Sequence, residues 1–231
     1  MISNSPVLIL FDIDGTLTRT GAADTMAVGP AFERTYGFPL THDDWNAYGH
    51  ITDSAIPDWE LRNLHGRGVT ATELEAFGQE LDREFGAIHS RQPEMFQAVG
   101  GANAAVQHVQ SLEHAHAAIA TGCLKASALF KLRAGSIDFE GIPAGFAEDG
   151  ISREEIVQAA IDRAADLAGT TFSRILSIGD GLWDIKTAKN LGLDFLGIDA
   201  EGTGKLKEAG AEHVMADYSD FVSWLDDWMK G

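Results

Sequence analysis

The sequence predicts a parallel α/β sheet covered by helices on both faces, with an all-helical module inserted after the first strand. Three observations carry this expectation. An unbroken apolar run, Val7 to Phe11, ends at an acid, as a strand buried on both faces does. From about residue 101 onward, short apolar runs alternate with stretches of helical spacing, the rhythm of parallel strands joined by helical crossovers. Between these regions, from about 20 to 95, only helical spacing is found.

In chain order, the pattern turns helical after Gly15. Apolar positions keep helical spacing from about 22 to 36 and from 43 to 91, broken by turn signals at Gly37-Phe38-Pro39, Gly66-Arg67-Gly68 and Gln92-Pro93. Thr41 before Asp44 and Thr70 before Glu73 have capping-box spacing, so each is read as a helix start. A helix near 102–113 leads into a strand at Ala117 to Ala120, then a helix near 125–134 and a short strand near 144–147. Ser152 and Glu155 form a capping box opening a helix that runs to about 168. Arg174 to Ile178 reads as a buried strand, followed by a helix near 183–191, a strand at Phe195 to Ile198 and another at Val214-Met215. The last helix, near 218–229, carries Phe221, Leu225 and Trp228 on one face. The expected division is a core of residues 1–18 and 97–231, with residues 19–96 as the inserted helical module.

Length and charge narrow the function. A chain of 231 residues accommodates one core of ordinary size and a smaller module. Its 45% hydrophobic and 23% charged residues are an ordinary globular balance, and no apolar run approaches the roughly 18 residues of a membrane span. Val7 to Phe11 is too short for a signal-peptide core and has no basic stretch before it, so a cytoplasmic location is expected. The single cysteine, which permits no intrachain disulfide, agrees. Net charge is −18, from 35 acidic and 17 basic residues, which argues against nucleic acid or an anionic membrane as partner. A phosphate site in such a chain must be made locally positive by a metal and a few placed cations.

The chemistry-bearing residues gather where strands end. Asp12 and Asp14, in Phe11-Asp12-Ile13-Asp14-Gly15-Thr16, follow the first strand directly, at the end where parallel sheets place their ligands. One acid can attack phosphorus while the other exchanges a proton with the leaving oxygen. An Asp-Gly pair is by itself an ordinary turn; the whole string after four apolar residues is far more specific. Asp180 and Asp184, in Gly179-Asp180-Gly181-Leu182-Trp183-Asp184, stand one helical turn apart at a second strand end. Both can address one hard cation, although an acid near a helix start is also an ordinary cap. Thr121-Gly122 ends a third strand, and a hydroxyl beside a flexible amide can cradle a phosphate oxygen.

Taken together, these strings resemble motifs I, II and IV of the haloacid dehalogenase superfamily, in order and spacing and over essentially the whole chain. The helical insert resembles the cap of the phosphoglycolate-phosphatase-like branch. The resemblance implies a Rossmann-like core and Mg²⁺-dependent hydrolysis of a small phosphorylated metabolite. It makes Asp12 the nucleophile and Asp14 the general acid/base, with the Asp14 main-chain carbonyl on the metal. Asp180 would be a metal ligand, Asp184 a ligand or a partner of the ligands, and Thr121 and Gly122 would bind the phosphoryl group. Motif III departs from the pattern, because no Lys-Pro precedes motif IV. Arg153, at the start of the helix before motif IV, is expected to supply that cation, with Lys125 the alternative; Lys125 and Lys131 are both expected on an exposed helix face. A guanidinium keeps its proton and can bridge two acceptors. In the insert, Gly49-His50-Ile51-Thr52-Asp53 resembles a cap loop, which makes His50 and Thr52 candidate substrate contacts.

Four converging carboxylates cannot all stay ionised without compensation, and oxygen ligands with phosphate favour Mg²⁺. An acid at position 14 favours phosphatases and phosphomutases over dehalogenases and transport ATPases, so a phosphomutase is the alternative activity. A catalytically weak, ligand-binding relative is the non-enzymatic alternative. Cys123 lacks the Arg six residues on that a cysteine phosphatase needs, and the Gly204-Lys205 region lacks the spacing of a P-loop. Monomer and homodimer both remain open from sequence.

Overall fold

The computed structural model describes residues 6–42 and 44–231. Six strands form one parallel sheet: β1 (Val7–Phe11), β2 (Ala115–Ala120), β3 (Ala144–Gly145), β4 (Arg174–Gly179), β5 (Asp194–Ile198) and β6 (His213–Met215). Their spatial order is β3-β2-β1-β4-β5-β6. Every residue of β1 is buried, which is why its sequence is continuously apolar rather than alternating. The chain runs from β1 outward to one side and later returns to the other, so the sheet reverses direction beside β1, where a crevice opens at the strand ends. Phe11 is in register with Ile119 of β2 and Ile178 of β4. Asp12, Thr121 and Asp180 therefore leave the sheet at nearly the same level.

On the sheet pack α4 (Ala102–Ser111), α5 (Lys125–Ala134), α6 (Arg153–Ala168), α7 (Leu182–Leu191) and α9 (Phe221–Lys230), with the short α8 (Lys205–Glu208) near β6. One face buries Val106, Val109, Leu132 and Phe221 against β1; the other buries Val157, Ala160 and Ala164 against Leu8 and Leu10. Ser152 and Glu155 cap α6 reciprocally, as their spacing predicts.

The stretch between β1 and α4 is helical: α1 (Gly21–Tyr36), α2 (Ala55–His65) and α3 (Ala71–Arg91). Its two connections to the sheet run side by side. Arg19 N donates to Gln97 O (2.8 Å) and Val99 N to Leu17 O (2.9 Å). Phe32 of α1 packs with Phe77, Leu81 and Phe85 of α3, and this cluster continues into Leu124 and Phe130 beside and within α5. The Thr70–Glu73 box caps α3 as expected, but Thr41 starts no α-helix. Trp45–Tyr48 is a single 3-10 turn, and Thr41 Oγ1 donates instead to the buried Glu60 carboxylate (2.9 and 3.0 Å). The buried acid outcompetes a local cap because it must be satisfied wherever it lies. The last helix begins at Phe221 rather than 218, and β3 is only two residues long. Among the described residues, no helix is long and apolar enough to cross a membrane.

Candidate active site

Asp12 leaves β1 buried, and Arg153 reaches it from the first turn of α6. One guanidinium nitrogen, Nη1, lies 2.8 Å from Asp184 Oδ1 and 3.5 Å from Asp12 Oδ1. The other oxygen of Asp184 accepts from Gly181 N at 2.9 Å, so this acid caps α7 and serves the cluster at once. Asp180, at the end of β4, receives Lys205 Nζ at 3.3 Å. One oxygen from each of Asp12, Asp180 and Asp184 lies within 4.8 Å of the others. That spacing, and a donor set made only of carboxylate oxygen, fits a hard divalent cation.

The electrostatics point the same way. Burial, then the charge of Asp184, pushes Asp12 up to about 8 even though Arg153 opposes the shift. Burial also lifts Asp180 and Asp184 to about 6, against Lys205 and Arg153 respectively. One guanidinium and one half-buried ammonium do not neutralise three crowded carboxylates; a further positive charge would.

The Asp14 carboxylate faces elsewhere. It accepts from Lys131 Nζ at 2.9 Å, from the Cys123 thiol at 2.8 Å and from Thr20 Oγ1. Lys131 also donates to both oxygens of Asp24 on α1 (2.7 and 2.8 Å) and lies over the Phe85 ring of α3. Burial pushes Asp14 upward, but Lys131, Cys123 and Thr20 more than offset it and hold the acid at about 2. Lys131 is fully buried, contrary to the exposed helix face expected of it. Its place was readable: Ser127, Ala128, Lys131 and Leu132 form the buried stripe of α5, so a cation stood among small and apolar residues at helical spacing. Lys125 is exposed, and its backbone N–H meets Glu148; of the two motif III candidates, only Arg153 reaches Asp12.

Thr121 is buried, and its hydroxyl accepts from Cys123 N at 3.2 Å, holding the turn after β2. Gly122 is required for close approach: a Cβ there would lie 2.9 Å from Ile51 O and 3.1 Å from Arg153 Nη2. A cavity of about 410 Å³ opens beside these residues, lined in part by Asp14, Gly122, Arg153, Asp180 and Trp183. Its opposite wall comes from the helical stretch and includes Thr52. Thr52 Oγ1 donates to Ile151 O (3.1 Å) and Ser54 Oγ to Gly150 O (2.7 Å), so the Thr52 hydroxyl ties the two parts together at the cavity wall. His50 is exposed and does not line the cavity.

Residues 7–192 match the family model of haloacid dehalogenase-like hydrolases. The chain belongs to that family. Among similar solved structures is a hydrolase from Pseudomonas syringae, with 23% identity, 96% of this chain and 98% of that one covered, and a TM-score of 0.67. CbbY from Rhodobacter sphaeroides, solved with phosphate, shares 16% identity over 95% and 98% of the two chains, with a TM-score of 0.67. A hydrolase of the same superfamily from Bacillus subtilis, YfnB, solved with magnesium, shares 20% identity over 96% and 99%, with a TM-score of 0.59. At these identities the likeness shows the fold. A search of curated proteins returned no match.

Within this haloacid dehalogenase-like fold, Gly15 sets how closely the first loop meets Asp180. Its φ is +72°, and a Cβ there would overlap the Asp180 carboxylate. Gly15→Ala is expected to cost about 1–2 kcal/mol of stability from the left-handed backbone alone. It should also weaken divalent-cation binding by displacing Asp180. Urea denaturation and a Mg²⁺ titration check the two effects separately; unchanged Mg²⁺ affinity would show that Asp180 does not need its present position.

Proposed function

We propose that this protein is a phosphatase that hydrolyses a small phosphate monoester through a phospho-aspartate on Asp12. The observation that carries the reading is the cluster of Asp12, Asp180 and Asp184, with Arg153 joining Asp12 to Asp184, beside an open cavity. Two buried donors of that wall, Arg153 Nε and Trp183 Nε1, have no acceptor among the described residues, which suits a site that receives an anion.

The Asp12, Asp180 and Asp184 carboxylates would hold Mg²⁺, together with the main-chain carbonyl of Asp14. When bound, the ion neutralises the carboxylates and the phosphoryl oxygens. Asp12 attacks phosphorus in line with the leaving oxygen, forming an oxygen–phosphorus bond as the ester bond breaks. Arg153 holds Asp12 in place and offers its remaining hydrogens to the transferring group. Asp14 delivers a proton to the leaving alcohol and takes one from the water that then attacks the aspartyl-phosphate. Lys131 and Cys123 keep the resting Asp14 ionised, the form needed for the second of these steps; the first draws on the proton that the second leaves on Asp14. The helical stretch, residues 19–96, acts as a cap over the cavity, with its paired connections at 17–19 and 97–99 as the hinge.

Hydrolysis of an aryl phosphate tests this reading. Turnover is expected to fall about 100-fold or more in chelator and to return on adding Mg²⁺. Full activity in chelator would refute the metal-dependent mechanism.

A further inference from the structure

The part of the cavity beyond the phosphoryl position has a composition that bears on which esters it accepts. Its wall on the helical side is apolar, built from Val28, Trp45, Ile51 and Ile56. Two acids, Asp24 and Asp53, interrupt that wall. Of the three cations that line the cavity among the described residues, two are already engaged. Arg153 serves Asp12 and Asp184, and Lys205 serves Asp180. Behind the wall, the one ammonium of Lys131 is shared between Asp14 and Asp24. Arg19 is exposed at the cavity, with Asp217 as a charged neighbour. Asp53 is fixed with its carboxylate capping α5, accepting from Leu124 N at 2.8 Å and Ser127 Oγ at 3.3 Å, and no cation is bonded to it among the described residues. Burial raises it only to about 6, so it is ionised at neutral pH.

On the phosphatase reading above, we propose that the alcohol half of the substrate is a small group with an apolar face and no second anion, and that Asp53 rejects esters bearing a carboxylate or a second phosphate. The phosphoryl dianion is compensated by Arg153 and the bound metal; a second anion would meet Asp53, to which no cation is bonded among the described residues, beside an apolar wall. Like charges placed together beside such a wall act as a specificity filter, because the unfavourable contact penalises only the wrong ligand. The same feature disfavours a mutase, which must hold a sugar bisphosphate between its two half-reactions.

The test uses the full-length Asp12→Asn protein with Mg²⁺, so that esters bind without turning over. Ethyl phosphate, phosphoethanolamine and phosphoglycolate, matched in size, are titrated by calorimetry at about pH 8, where phosphate and carboxylate are both ionised. Phosphoglycolate is expected to bind at least ~10-fold more weakly than the other two. Adding Asp53→Asn should narrow that gap, while the affinity for inorganic phosphate, which reads the phosphoryl position alone, stays unchanged. Equal or tighter binding of phosphoglycolate would overturn the proposal and leave the phosphatase reading standing. A gap unaltered by Asp53→Asn would overturn the role given to Asp53. If neither the esters nor inorganic phosphate bound, both readings would fall together.

Discussion

Replacing Asp12 with asparagine is expected to abolish turnover, by at least ~10⁴-fold, while leaving the fold intact. The amide matches the carboxylate in shape, and Asp12 is buried among Arg153, Asp184 and the end of β1, so no cavity or clash results. What is lost is the nucleophile of the proposed mechanism. The same substitution should change the pH dependence of stability of the metal-free protein. Burial and Asp184 lift the Asp12 carboxyl from 3.8 to about 8, so the folded chain binds this proton more tightly than the unfolded chain does. Its contribution is therefore fully present below the unfolded value and is lost as pH rises through the folded one. The Asn variant should lack this decline. Turnover of an aryl phosphate and urea midpoints across that pH range are the measurements. Persistent turnover, once deamidation back to Asp is excluded by mass, would rule out a phospho-aspartate at this position.

Much of this site was legible because its chemistry lies at strand ends. Asp12, Thr121 and Asp180 each follow a short apolar run, and the parallel register brings the three ends to one level. Arg153 was legible for a local reason: a capping box fixed where α6 begins, and the first turn of that helix faces the end of β1. The helical stretch was read less well. Thr41 has the spacing of a cap, but the signal is local and a buried acid nineteen residues away, Glu60, claims its hydroxyl. The loop pattern that makes His50 and Thr52 candidate ligand contacts says nothing of which way each side chain turns. His50 is exposed, and Thr52 lines the cavity with its hydroxyl bonded to Ile151 O. Lys131 was missed because a lysine on a helix is ordinarily exposed, and its partners, Asp14 and Asp24, are more than a hundred residues away. Asp24 sits beside the buried residues Ala23, Ala27 and Val28 of α1, as Lys131 does in its own stripe. A charge of each sign among small buried residues on two helices was the available signal.

That buried pair leads to the second large effect. Lys131→Met should destabilise the protein by about 3 kcal/mol, because the fully buried ammonium is removed while the two acids it compensates stay largely enclosed. Burial alone would depress the Lys131 ammonium; Asp14 and Asp24 instead hold it well above the ordinary lysine value, so it remains charged. One ammonium faces two carboxylates, and burial together with the charge of Asp14 pushes Asp24 well up. Asp24 is therefore the partner that can give up its charge most cheaply. Asp24→Asn alone should cost much less than Lys131→Met, and the double variant should recover part of the loss, a coupling that a denaturation double-mutant cycle reads directly. Methionine fills most of the lysine's volume against Phe85, so lost packing accounts for little of the effect. A loss under about 1 kcal/mol for Lys131→Met would mean that water reaches the freed carboxylates. A loss of the expected size without coupling to Asp24 would put the whole demand on Asp14. In either case the experiment asks why α5 carries a buried cation: it joins the loop bearing Asp14 to α1, the first helix of the helical stretch, so the two share a single charge.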